Sequence, residues 1–288
     1  METSEIIKKV RKIEIKTRGL SNHIFAGEYH SAFKGRGMTF SEVREYQYGD
    51  DVRSVDWNVT ARFAHPYIKV FEEERELTVM LLIDVSGSRV FGTVSQYKMD
   101  IFTEVAAVLA FSTIHNNDKV GVIFFSDKIE KFIPPKKGRK HVLHIIREMI
   151  DFKPESKQTD IAEALRYFTN AIKKRSTAFI ISDFIGHDFE KELTIANKKH
   201  DVVALQVYDI RETEIPDVGL IKLKDSETEQ RIWVDTSDKR LRLSYKHGWA
   251  QSQLELQKTF TKSGVDFVSM STSDDYVRTL IKLFKMRS

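Results

Sequence analysis

From residue 77 onward the chain alternates short, wholly apolar runs with longer segments in which apolar residues return every three or four positions. Runs apolar at consecutive positions suit strands covered on both faces. Their alternation with helix-period segments predicts a Rossmann-like α/β fold, a mostly parallel sheet flanked by helices. The strands are expected at 77–84, 119–126, 176–183, 201–209 and 265–272. Helices are expected at 97–115, 138–152, 159–175, 188–200 and 274–287. In the first of these helices Ile101, Val105, Val108, Leu109 and Ser112 fall near one face. Residues 126–135 read as a turn and an edge strand, because Pro134 and Pro135 cannot donate to a ladder. Residues 219–236 read as a β-hairpin with a polar turn that decorates the sheet.

The first 75 residues follow a different pattern. Residues 5–18 suit a helix, but the Gly- and Arg-containing stretch after them has little periodicity. Its aromatics, Phe33, Phe40, Tyr46, Tyr48, Trp57 and Phe63, are expected to be buried, which predicts a small irregular subdomain. The division is therefore a family-specific N-terminal subdomain at 1–75 and an α/β domain at 76–288, with the hairpin inserted around 217–236. Charges crowd the N-terminal part. Arg44, Asp50, Asp51, Arg53, Asp56 and Arg62 form either an internal salt-bridge network supporting Trp57 or a partner-binding surface that includes it, and the two roles are compatible.

Composition narrows the classes of function. With 41% hydrophobic residues among 288, the chain can bury a large core. Lys and Arg number 46 against 42 Asp and Glu, and a net charge of +4 is too small to argue for nucleic-acid binding. The absence of cysteine excludes disulfides, thiolate metal sites and cysteine nucleophiles, and fits a reducing compartment. The first residues lack a signal-peptide pattern and no apolar run reaches membrane-spanning length, so a cytoplasmic protein is expected, touching membrane only through partners.

The chemistry concentrates where strands are expected to end. Asp84, Ser86 and Ser88 follow the first strand in the run Asp84-Val85-Ser86-Gly87-Ser88, Thr159 opens a helix, and Asp183 follows the strand at 176–183. Open α/β sheets bind ligands at the carboxyl ends of their strands. Two carboxylates and three hydroxyls suit a hard cation, Mg²⁺ or Mn²⁺, that takes oxygen ligands and keeps some water. Such an ion remains under-neutralised and seeks an anionic ligand, which an Asp or Glu of a partner would supply.

Catalytic motifs are missing: the chain contains no G-x-S-x-G, H-E-x-x-H or G-x-x-x-x-G-K-[ST]. The enzymatic alternative is a Mg²⁺-dependent phosphatase with Asp84 as nucleophile, although Ser86 stands where its usual second acid would be. His141 and His144 share a helix face and read as ordinary surface or core histidines. The basic run 136–140 and the acidic run 72–74 read as solvated.

The run LLIDVSGS, the Thr of QTDIAEAL and the Asp of IISDF resemble the metal-ion-dependent adhesion site of von Willebrand factor A domains. That resemblance implies that Ser86, Ser88 and Thr159 coordinate the ion and that Asp84 and Asp183 hold it directly or through water. Arg89 and Gln158 depart from the usual pattern. The stretch SAFKGRGMTFSEVREYQYGDDVRSVDWNVTAR, followed by KVFEEEREL, is similar to the bacterial family known as domain of unknown function 58. The likeness covers nearly the whole chain. It implies a non-enzymatic adaptor or assembly factor working with a MoxR-type AAA+ ATPase and a client protein. The alternative is a metal-independent scaffold that binds through the N-terminal segment and the hairpin.

Overall fold

The computed structural model describes residues 39–72, 77–87, 97–186, 188–224 and 230–287. The expected helix at 5–18, the residues Phe33, Ser88 and Arg89, part of the acidic run and the tip of the hairpin lie outside them, as do the side-chain surroundings of Phe40. The chain divides into two compact units, residues 34–77 and a larger unit that holds Thr78–Ser288.

In the small unit, β1 (Thr39–Glu45) pairs antiparallel with β2 (Tyr67–Glu72), and a 3₁₀ turn (Val52–Ser54) and α1 (Trp57–Phe63) lie between them. Weak periodicity concealed these elements because local polar contacts set their boundaries. Asp51 accepts from Arg53 N at 2.9 Å and opens the turn. Asp56 accepts from Asn58 N at 3.0 Å and from Val59 N at 3.3 Å, capping α1. The aromatics do not behave as expected: Tyr48, Trp57 and Phe63 are exposed, and Tyr46 is half-buried. A seven-residue helix and a two-stranded ladder offer too little surface to cover them.

The larger unit is a six-stranded sheet in the order β10-β7-β6-β3-β4-β5. Its strands are β3 (Thr78–Asp84), β4 (Lys119–Phe125), β5 (Ile129–Lys136), β6 (Thr177–Ser182), β7 (Asp201–Tyr208) and β10 (Asp266–Ser271). All neighbours are parallel except β4 and β5. The antiparallel edge strand carries Pro134 and Pro135 just before its last residue, Lys136, a position their missing donors allow at a sheet edge. Gly121 lies where the β4–β5 register shifts, and a Cβ there would come within 2.9 Å of Ile133 O and Pro135 N, so that close approach needs glycine.

Side chains alternate across each strand. Met80, Leu82, Ile123, Phe125, Ala178, Ile180, Val202 and Ala204 pack on α4 (Ile161–Ala171), α5 (Glu190–Lys199) and the end of α7 (Lys239–Ser263). The opposite face meets α2 (Lys98–His115), with α3 (Arg139–Asp151) packed beside it. The single apolar face expected for α2 is too narrow a description. Residues 105–111 are buried all round, including Ala106, Ala107 and Ala110, as for a helix enclosed by its neighbours. The helix expected from Thr159 to Arg175 begins only after its cap Asp160, which accepts from Glu163 N at 2.8 Å, and ends at Ala171. Lys173, Lys174 and Arg175 follow it.

Strands β8 (Leu220–Lys224) and β9 (Arg231–Asp235) form the expected hairpin. After it comes α7, 25 residues long and without a counterpart in the sequence-based reading. Most of its length is exposed on several sides, so its apolar residues do not trace a core stripe. The short α6 (Ile210–Thr213) follows β7, and α8 (Tyr276–Arg287) closes the chain.

Candidate functional site

Two strands and the loop before α4 bring carboxyl and hydroxyl side chains to the carboxyl edge of the sheet. Strand β3 delivers Asp84, with Ser86 in the turn after it, and β6 delivers Ser182 and then Asp183. Asp84, Ser86, Thr159 and Asp183 are all buried. Asp84 Oδ1 accepts from Ser86 N at 2.9 Å, and its Oδ2 accepts from the Ser182 hydroxyl at 2.7 Å. The same hydroxyl accepts from Phe184 N at 3.0 Å and so joins the two strand ends. The Thr159 loop is tied in from both sides, by Gly87 N to Lys157 O at 2.9 Å and by Asp160 N to Ser126 O at 3.0 Å. Four of the five expected cation residues thus belong to one edge, and the fifth, Ser88, lies outside the described residues.

The sequence did not point to what lies beside them. Lys98, the first residue of α2, is 0% exposed, the largest fully buried side chain among the described residues. Its ammonium donates to Asp183 Oδ2 at 3.0 Å and to Glu212 Oε1. Asp183 Oδ1 accepts from Ile185 N at 3.2 Å. Glu212 is fixed by a capping box at the start of α6: its Oε2 accepts from Asp209 N at 2.9 Å, while Asp209 accepts from Arg211 N at 2.9 Å and from the Thr272 hydroxyl at 2.9 Å.

Both residues left a trace in the sequence. A lysine at the first position of an apolar helix opposes the helix dipole and needs an acidic partner. The spacing Asp209-x-x-Glu212 after a strand is a capping-box pattern.

The electrostatics follow from burial. Burial and the neighbouring Asp183 charge push the Asp84 carboxyl up to about 6. Burial alone would lower the Lys98 ammonium, but Asp183 and Glu212 outweigh it and hold the group above the ordinary lysine value. Burial raises Glu212, against the pull of Lys98. Lys98 pairs with Asp183 and Glu212, and the charge of Asp183 acts on Asp84 in turn, so the carboxylates of this edge outnumber its one ammonium.

This donor set fits a divalent hard cation. Asp84 and the hydroxyls of Ser86 and Thr159 would supply oxygens to such an ion, and Asp183, with one oxygen held by Lys98, would act through water. Among the described residues no three His, Asp or Glu side chains cluster as a metal site.

The other expected residues have simpler roles. Arg44 pairs with Asp50 through two hydrogen bonds of 2.8 and 2.9 Å, and Lys69 lies 3.6 Å from Asp56. Arg53, Arg62 and Trp57 are exposed, and among the described residues the pairs Arg44–Asp50 and Lys69–Asp56 do not join into a network beneath Trp57. His141 Nε2 bonds Val120 O at 2.9 Å and His144 lies 3.8 Å from Glu148, which separates the two imidazoles into ordinary roles.

The chain matches the family described as "Protein of unknown function DUF58" over residues 42–255, most of its length. It belongs to that family. An uncharacterised protein from Mycobacterium tuberculosis is 28% identical over 281 residues, which cover 96% of this chain and 88% of the relative. An aerotolerance-related membrane protein from Bacteroides fragilis aligns with 73% of this chain and 99% of its own, at a TM-score of 0.51 and 15% identity, a likeness of fold alone. The VWA domain of SpRpn10 aligns with 73% of this chain and 95% of its own, at a TM-score of 0.39 and 11% identity. The DUF58 chain is an α/β protein with a central, mostly parallel six-stranded sheet flanked by helices. Among the described residues no helix is long and apolar enough to cross a membrane.

Proposed function

We propose that this DUF58 protein is a non-enzymatic, cytoplasmic protein-binding adaptor whose sheet edge, completed by Mg²⁺ or Mn²⁺, grips an acidic residue of a partner. The observation that carries this reading is the excess of carboxylates, buried Asp84 and Asp183 and half-buried Glu212, over the single ammonium of Lys98, beside the hydroxyls of Ser86 and Thr159. Buried charge of this kind is costly unless paired, and a divalent cation balances it. Bound there through neutral hydroxyls and few direct carboxylates, the cation would keep affinity for an anionic ligand. The family resemblance points to a MoxR-type AAA+ ATPase and a client undergoing assembly or maturation as the partners.

Calorimetric titration of Mn²⁺ and Mg²⁺ into the whole chain, beside Asp84→Ala and Ser86→Ala/Ser88→Ala, tests this reading. Saturable binding lost in both variants is expected, with thermal melts reporting that they remain folded. Metal binding by Asp84→Ala equal to the parent would overturn it. Exposed Tyr48, Trp57 and Phe63 favour a second reading, a metal-independent scaffold binding through residues 39–72. That reading requires partner binding to survive EDTA and to fall with Trp57→Ala. Turnover of a generic phosphate ester that disappears in Asp84→Asn would instead favour the phosphatase.

A further inference from the structure

A cavity of about 640 Å³ opens beside Asp183, between the loop after β6 and the long helix α7. Its described lining holds four carboxylates, Asp183, Asp188, Glu212 and Glu255, and no Lys, Arg or His. Lys98 pairs with two of them, Asp183 and Glu212. Asp188 and Glu255, from the loop and from α7, make no ion pair within 4 Å among the described residues, although the exposed Lys262, paired with Glu190, feels the charge of Asp188. Asp188 accepts from Glu190 N at 3.0 Å, and Glu255 accepts from Gln251 Nε2 at 3.3 Å.

Two aromatic side chains of α7 share this lining. Tyr245 is 41% exposed, and its phenol is raised first by burial and then by the charge of Glu212, which places the ring beside the acidic wall. Trp249 leans on Tyr208, with ring centroids 5.5 Å apart. Acidic and aromatic groups in one cavity suit a cation, which gains from the carboxylates and from the ring faces together. The planar guanidinium of arginine uses both best, since it stacks on rings and pairs with carboxylates side by side.

The volume exceeds what one side chain fills and falls in the range of sites for larger ligands. Ser252 and Gln253 add hydrogen-bonding groups to the lining, and Ile185 and Leu256 add apolar surface, a mixture suited to peptide backbone and its neighbouring side chains.

We propose that this cavity is a recognition site for an arginine side chain presented on a peptide segment of a partner protein. The site adjoins the candidate cation edge through Asp183, but its unpaired carboxylates, Asp188 and Glu255, take no part in that edge. The proposal therefore stands whether or not a metal binds.

The test is titration of the whole, ¹⁵N-labelled chain in EDTA with the peptide acetyl-Gly-Arg-Gly-amide, its citrulline counterpart and spermidine. The chain has three tryptophans, so Trp249→Phe assigns the Trp249 indole N–H signal. Saturable movement of that signal by the arginine peptide is expected, with the citrulline peptide about tenfold weaker or worse. Asp188→Asn/Glu255→Gln, which changes two exposed side chains, should weaken the arginine peptide by about tenfold at an unchanged melting temperature. Absence of saturation, equal binding of the citrulline peptide, indifference to the double variant, or tighter binding of spermidine than of the arginine peptide would each overturn the proposal.

Discussion

The sheet edge and the small unit reverse the usual division of polar and apolar residues in opposite directions. At the edge, Lys98, Asp84 and Asp183 are charged and almost inaccessible. In residues 39–72, Tyr48, Trp57 and Phe63 are aromatic and open to solvent, while the charges of Arg44 and Asp50 pair near the surface. Each arrangement gives up stability. Buried ions lose hydration that their mutual attraction repays only with good geometry, and exposed rings forgo burial. The edge offsets much of its cost internally, since every oxygen of Asp84, Asp183 and Glu212 receives a hydrogen bond. Of the exposed rings, Phe63 meets Tyr67 at a centroid distance of 5.5 Å, and the burial the rings forgo is otherwise not offset. The contrast teaches that the edge is held together by its own contacts, whereas the small unit's exposed rings would gain most from a partner.

The largest effect should come from breaking the buried ion cluster. Lys98→Met leaves Asp183 and Glu212 without their cation and should cost about 3–5 kcal/mol in denaturant unfolding. The double variant Lys98→Met/Glu212→Gln removes one of the stranded charges and should recover part of that loss. If the edge accepts a divalent cation, Mn²⁺ should raise the melting temperature of Lys98→Met more than that of the parent, because the variant carries one more net negative charge. An unchanged stability in Lys98→Met would remove the contrast between the two regions.

A smaller effect tests a buried titratable group with no charged partner, at the amino edge of the same sheet. His200 lies against Phe168, with ring centroids 4.3 Å apart, and its Nδ1 is 3.1 Å from the Ser176 hydroxyl. Burial, helped by the charges of Lys199 and Arg175, pulls its imidazole down from 6.5 to about 4. Above pH 6.5 both folded and unfolded chains are neutral there, and its contribution to stability is fully present. As pH falls from 6.5 to 4 the unfolded chain takes up a proton that the folded chain refuses. Stability should then fall by up to about 3 kcal/mol. The difference between the parent and His200→Gln, measured at pH 7 and pH 4.5, isolates this group from Asp84, whose raised carboxyl shifts stability in the opposite sense.

The parallel sheet was legible because its strands are apolar on both faces and each ends in a polar residue, Asp84, Ser126, Asp183 or Asp209. The same endings located four candidate site residues. Lys98 and Glu212 escaped because their meeting is a tertiary event, 114 residues apart in the chain, that no local period encodes. Helix α7 escaped for another reason: much of its surface meets solvent, so it lacks the apolar stripe by which helices are recognised. The small unit was misjudged on its aromatics because hydrophobicity predicts burial only when enough neighbouring structure exists to provide it. Its turns depend on Asp51 and Asp56, whose capping contacts are specific but short-ranged.

The smallest effects separate structure from recognition in that unit. Asp56 caps α1, and Asp56→Ala should cost about 1 kcal/mol in stability. A loss of partner binding in that variant would therefore be ambiguous. Trp57 is 70% exposed, so Trp57→Ala should change stability by less than about 0.5 kcal/mol. With folding unaffected, its effect on binding reads the surface alone. Binding of the ATPase or client that survives Trp57→Ala but disappears in Asp84→Ala would assign recognition to the sheet edge. The reverse pattern would assign it to the exposed rings, and the buried charges of the edge would then need a structural explanation of their own.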